Sequence, residues 1–230
     1  MKSQRVTKLM LFILILLILQ IIYQDMSTNT QETKWIDKLE VSTYAKQLII
    51  VAVVKEEAVL SLYEKDEDGK WTEILSTVAV IGKNGIGKSK EGDMKTPVGE
   101  FRFTKAFGIL ECTQTKIDYV QVDESHYWVD DVNSKYYNQF ITIENVEPDW
   151  TSAEHICEYG ELYHYVLATS YNQECVAGLG SAVFLHCASE ETKYTAGCVA
   201  IPEEYMLQIV KRVEEDCVLI IDTVGNINNY

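Results

Sequence analysis

Between residues 48 and 222 the chain is a succession of short apolar runs, with little of helical period between them. Residues 48–54 and 58–63 are β-branched or alternating, and the Asp66-Glu67-Asp68-Gly69 segment reads as a hairpin turn before a further run over 71–80. Similar runs cover 101–107, 117–122, 140–143, 163–170, 182–186 and 218–222. Two stretches read as helix. One is short, over 151–159. The other is opened by Pro202, carries Glu203 and Glu204 in its first turn, and sets Met206, Ile209, Val210 and Val213 on one face. Many strands with few helices predict a mainly β fold, a sandwich or curled mixed sheet around one core. There is no internal repeat and no sign of a second globular domain, so residues 47–230 are expected to form a single domain.

What precedes that domain reads differently. Lys2, Arg5 and Lys8 stand before an apolar stretch over 9–22. With its flanks, at residues 7–24, it approaches the ~20 residues that span a bilayer. The positive flank keeps the N-terminus cytoplasmic, and no small-x-small cleavage site follows. Residues 1–26 are therefore expected to be a cytoplasmic stub and signal anchor, a cleaved signal peptide being the alternative. Residues 27–46, polar with Trp35, Ile36, Leu39 and Val41 scattered among them, are expected to be a tether with one or two helical turns. Either export reading makes the domain extracytoplasmic, with the membrane as partner through the anchor. The net charge of −15 fits a solvated acidic surface and excludes a nucleic-acid binder, which needs clustered Lys and Arg.

One motif misleads. Gly82-Lys83-Asn84-Gly85-Ile86-Gly87-Lys88-Ser89 satisfies the phosphate-loop pattern in full. A phosphate loop has to open a helix, so that N–H groups at the helix start face the nucleotide. Here Gly92 and Pro97 follow within ten residues and forbid a long helix. No nucleotide partner is expected.

The chemistry is concentrated near the C-terminus. Phe184-Leu185-His186 is separated by a polar loop from Thr195-Ala196-Gly197-Cys198-Val199, so one histidine and one cysteine end two apolar segments. A thiol attacks as thiolate, and an unassisted cysteine is only a few per cent ionised at neutral pH. A neighbouring imidazole changes that. Gly197 allows close approach of substrate, and the N–H groups of Ala196, Gly197 and Cys198 are candidates for an oxyanion hole. Thr195 either orients the pair or caps the turn. Cys187 adjoins His186 and is the candidate to pair with Cys198 in a redox-inhibited form. His126, His155 and His164 lack metal-ligand spacing and read as structural, His155 being the best secondary candidate for the pocket.

These residues resemble the signature of the L,D-transpeptidase (YkuD-type) family of cell-wall enzymes: a histidine at a strand end, then Ser/Thr-x-Gly-Cys and an aliphatic residue. A second family element, Thr-Pro-x-Gly-x-Phe, appears as Thr96-Pro97-Val98-Gly99-Glu100-Phe101, preceded by Glu91-Gly92-Asp93. The resemblance covers residues 48–222. It implies a β-rich fold, Cys198 as nucleophile, His186 as base, peptidoglycan stem peptides as partner and no cofactor. The implied reaction forms a thioester at the third stem residue, resolved by an amine to give a cross-link. An L,D-carboxypeptidase, with water as acceptor, and a non-catalytic wall-binding module are the alternatives. The chain departs from many members in carrying Ala196 for a histidine, Ala200 for an arginine and Cys187 for a glycine or serine. Tyr136, Tyr137, Tyr171 and Asn172 lie in polar-aromatic segments similar to those of one branch, as groove contacts for the stem or as structural turns.

Overall fold

The computed structural model describes residues 33–230. The expected anchor over 7–24 lies outside the described residues. Among the described residues no helix is long and apolar enough to cross a membrane.

The first sheet takes β1 (Gln47–Val54), β2 (Glu57–Lys65), β3 (Trp71–Ala79), β4 (Gly99–Phe101) and β13 (Val218–Thr223), in the order β3-β2-β1-β13-β4. β1 runs parallel to β13, with Leu48 opposite Val218, and the other pairs are antiparallel. The hairpin turn forms as expected: Asp66 Oδ1 accepts the N–H of Asp68 and Lys70, and Gly69 takes the left-handed conformation at φ +79°.

The second sheet takes β5 (Phe103–Gly108), β6 (Tyr119–Gln121), β10 (Val166–Thr169), β11 (Phe184–Ala188) and β12 (Val199–Pro202), in the order β12-β11-β10-β5-β6. A small sheet of β7 (His126–Val129), β8 (Phe140–Thr142) and β9 (Ala153–His155) completes the β structure.

Three apolar clusters follow from strand alternation. Ile49, Val51 and Val53 of β1 join Leu167, Leu185 and Val199 between the two large sheets. The helix α1 (Glu203–Arg212) adds Met206, Ile209 and Val210, all fully buried. Each such side chain contributes about 1.5–3 kcal/mol. On the other face of β1, Leu48 and Ile50 pack with Ile36, Leu39 and Val41. Covered on both faces, β1 reads as a solid apolar run rather than an alternating one. The third cluster lies behind the second sheet, where Phe107, Phe184 and Cys198 meet Trp128, Ile156 and Tyr163.

Three expectations are corrected. The described part of the expected tether is not a tether: 3₁₀ turns at Ile36–Lys38 and Glu40–Thr43 bury Ile36, Leu39 and Val41 against the first sheet. The expected helix over 151–159 is instead β9 followed by a 3₁₀ segment, Ile156–Tyr163, broken at Gly160. There the edge of β7 offers backbone partners, which a short polar segment takes in preference to an isolated helix. Pro202 ends β12 in extended conformation and caps α1, whose first residue is Glu203.

Candidate active site

β11 and β12 are parallel neighbours, with His186 opposite Ala200. Alternation along β11 turns Phe184 and His186 toward the third cluster and Leu185 and Cys187 into the core between the sheets. Cys198 ends the loop just before β12 and faces the same side as Phe184. His186 and Cys198, both buried, therefore line one cleft of about 350 Å³. Its other walls come from the 3₁₀ segment, from β9, and from the loop that carries Lys88 and Glu91.

The cysteine turn is tied from both sides. Thr195 Oγ1 donates to Cys198 O at 2.7 Å and accepts the Gly197 N–H at 3.1 Å. Thr96 Oγ1 also donates to Cys198 O, at 3.2 Å, and accepts the Gly82 N–H at 2.8 Å. The phosphate-loop look-alike thus wraps a threonine: Thr96 N donates to Gly85 O, and the N–H groups of Gly87 and Lys88 donate to Thr96 O. Glycine is required at 82, where a Cβ would lie 2.5 Å from Met94 O and 2.8 Å from Thr96 N.

The sulfur rests on backbone. Cys198 Sγ donates to Ala182 O at 3.1 Å and accepts the Phe184 N–H at 3.3 Å. No hydrogen bond joins it to His186, whose Nδ1 donates to Cys187 O at 2.8 Å. Burial pushes the thiol up to about 12, and the charge of Glu154 adds to that, while the Phe184 N–H and the Lys88 ammonium pull it down. Burial holds His186 down at about 4, offset in part by hydrogen bonds to the backbone of Cys187 and Leu162. The resting pair is therefore neutral thiol and neutral imidazole, not a preformed ion pair.

Lys88 is the cleft's basic side chain among the described residues. Its stem crosses Gly180 and Gly197, where added Cβ atoms would lie 2.4 Å from Cε and 3.4 Å from Nζ. The ammonium meets Asp93 at 3.1 Å, both side chains being buried. Ala200 is fully buried, and its backbone pairs with Val80 just past the end of β3.

The expected supporting residues divide. Thr195 caps the turn. The Gly197 N–H is already committed to Thr195, which corrects its place in an oxyanion hole; the N–H groups of Ala196 and Cys198 make no hydrogen bond among the described residues. Cys187 is buried on the opposite face of β11, donating to Tyr165 O at 3.6 Å, and every cysteine is a free thiol. Tyr137 is not a groove contact: it is buried and bridges Glu91 (2.6 Å) and the Gly180 N–H (3.0 Å). Tyr171 and Asn172 brace the loop through Leu179 O and Gly180 O, and Tyr136 packs edge-on to Trp150. Tyr159, Tyr163 and Tyr194 line the cleft instead. His155 stacks on Tyr127 at 4.4 Å, outside the cleft, and its neighbour Glu154 faces in. The sequence signal for Glu154 was strand alternation over 153–155, hidden by the helical reading of that segment.

A family model described as the L,D-transpeptidase catalytic domain, YkuD, matches residues 47–221. The chain belongs to that family. The match begins at β1 and takes in β13 almost to its end, so the L,D-transpeptidase domain is the whole sandwich and its cleft. Among solved structures, L,D-transpeptidase 1 of Mycobacterium tuberculosis is similar at 10% identity and TM-score 0.36, covering 77% of this chain and 62% of that one. An L,D-transpeptidase from Mycobacterium smegmatis is similar at 13% identity and TM-score 0.37, covering 78% of this chain and 59% of that one. The chain thus spans less than two thirds of the length of either protein. No curated protein matches the chain in sequence.

Proposed function

We propose that the chain is an extracytoplasmic cysteine acyltransferase acting on peptidoglycan stem peptides, an L,D-transpeptidase held at the membrane by residues 7–24. The observation that carries this reading is that one cleft is lined by both His186, on β11, and Cys198, on a turn fixed by Thr96 and Thr195.

The neutral resting pair suits general-base catalysis. Rotation of the Cys198 side chain releases Sγ from Ala182 O, and the neutral imidazole takes its proton as the sulfur attacks the stem carbonyl. The free N–H groups of Ala196 and Cys198 supply donors for the oxyanion. The protonated His186 returns its proton to the departing amine, leaving a thioester on Cys198. An amine from a second stem then completes an L,D cross-link. Water as acceptor would make the enzyme an L,D-carboxypeptidase; three carboxyl groups in the cleft, Glu91, Asp130 and Glu154, favour an ammonium-bearing acceptor over a neutral one.

Chromatography of products from disaccharide-tetrapeptide separates the readings. The full chain is expected to give cross-linked dimer, and Cys198→Ala none. Trimmed tripeptide alone would establish the carboxypeptidase. No product from a folded wild-type chain would leave a wall-binding module.

A further inference from the structure

The cleft contains a carboxyl group that the dyad does not use. Glu154 stands on β9 opposite Trp128, pointing into the cleft. The Tyr163 hydroxyl donates to Glu154 Oε2 at 2.7 Å, and the same ring packs edge-on to His186 at 5.4 Å. Glu154 is thus coupled to the histidine through one side chain. The charges around it are Asp130 and Glu91, with the Tyr159 hydroxyl and Cys198 close enough to feel its own charge. Lys88, the nearby cation, is committed to Asp93. Burial drives the Glu154 carboxyl up to about 7; the Tyr163 bond opposes this and the two acids add to it. Asp130 Oδ1 is buried without a hydrogen-bond partner and belongs to the same cleft. A buried carboxylate oxygen left unpaired costs free energy that a cationic ligand recovers.

We propose that Glu154 is a further catalytic residue, the proton acceptor for the incoming amine. The inference rests on the reading of Cys198 as the acylated nucleophile.

An acceptor amine arrives at neutral pH as an ammonium ion, which has no lone pair with which to attack. The ammonium gives one proton to the Glu154 carboxylate, and the oxygen of Asp130 steadies the cation before transfer. The freed lone pair forms the C–N bond at the thioester carbonyl. The C–S bond then breaks and the sulfur leaves with its electron pair. The surplus proton on nitrogen passes to His186 and on to sulfur, restoring the thiol. Glu154 loses its proton to solvent as product leaves, so ammonium and thioester become amide, thiol and one released proton. A group titrating near the working pH suits a proton acceptor that has to be reset on every turnover. An ionised carboxylate beside Cys198 also opposes the thiolate, so the same residue that helps the second step hinders the first.

That opposition gives a test that a packing role would not pass. Glu154→Gln in the full chain keeps the shape and an acceptor oxygen for Tyr163. Acyl-enzyme is formed with disaccharide-tetrapeptide and its decay followed by mass spectrometry at pH 7, with a stem amine or with hydroxylamine, which is already neutral there. The variant is expected to resolve about 10²-fold more slowly with the stem amine. With hydroxylamine it should match wild type, and its Cys198 should alkylate with iodoacetamide faster than wild type. Equal loss with both acceptors, no loss with either, or alkylation no faster than wild type would overturn the proposal. Wild-type chain that never carries acyl on Cys198 would instead refute the nucleophile assignment, and the proposal with it.

Discussion

Replacing Thr96 by valine removes one hydroxyl from a fully buried position and keeps the side-chain shape. Two bonds go with it: the one accepted from the Gly82 N–H at 2.8 Å and the one donated to Cys198 O at 3.2 Å. The losses are unequal. Cys198 O keeps its 2.7 Å bond from Thr195, whereas the Gly82 N–H is left facing a methyl group. A buried donor stripped of its partner costs about 1–3 kcal/mol, and an ordinary net hydrogen bond about 1 kcal/mol. We therefore expect Thr96→Val to lose about 2–3 kcal/mol. In a domain of this size that lowers Tm by about 4–12 °C. Thr96→Ser keeps both bonds and should lose about 1 kcal/mol or less. Urea and thermal unfolding measure the first effect, and the rate of Cys198 alkylation reports whether the turn has moved. A Thr96→Val chain as stable as wild type, with unchanged alkylation, would refute the view that this threonine joins the glycine-rich loop to the nucleophile.

Lys88→Met removes the cation that favours the Cys198 thiolate, so alkylation at pH 8 should slow, and an unchanged pH profile would count against that role. Burial resists ionisation of Asp93, but the N–H groups of Ser89, Lys95 and Lys90, with the Lys88 ammonium, outweigh it and hold the carboxyl at about 2. The stability it supplies is complete above the unfolded value of about 3.9 and is lost as pH falls through about 2; urea midpoints should drop over that window and flatten in Asp93→Asn. Glu154 has the opposite sign, because its folded value is raised: its contribution to stability falls as pH climbs from about 4.5 through about 7, while His186, held down at about 4, contributes a rise between about 4 and 6.5, so Glu154→Gln should make urea midpoints climb more steeply with pH over that window than in wild type. Cys187→Ser should leave product formation unchanged with and without reductant, since Cys187 and Cys198 face opposite sides of the second sheet.

The strands were legible where two faces differ or where both are buried. β1 and β13 show as apolar runs because both of their faces are covered, β3 shows as a strand with one face exposed, and Asp66–Gly69 carries its own turn chemistry. The segment over 151–159 was not legible, because its conformation is set by pairing with β7, a partner distant in sequence. The role of 33–46 was hidden for a similar reason: Ile36, Leu39 and Val41 are spaced irregularly and only a sheet face shows what they bury. The meeting of His186 and Cys198 in one cleft could be read because both sit in a local motif, whereas Thr96 was legible only as part of the Thr-Pro-x-Gly-x-Phe element, with its hold on the cysteine turn unseen. Lys88, Glu154 and Asp130 could not be read, because they reach the cleft from three separate elements. For the tyrosines at 136, 137 and 171 the sequence left groove contact and structural turn both open, because polar-aromatic composition is shared by grooves and by braced loops; only their partners tell these apart.

The most direct measurement is peptide-mapped mass spectrometry of the full chain, quenched in acid soon after mixing with disaccharide-tetrapeptide. The account predicts a thioester on the peptide bearing Cys198, release of the terminal D-alanine, and accumulation of the adduct when acceptor is withheld. An acyl group on another cysteine, or turnover that persists in Cys198→Ala, would contradict it.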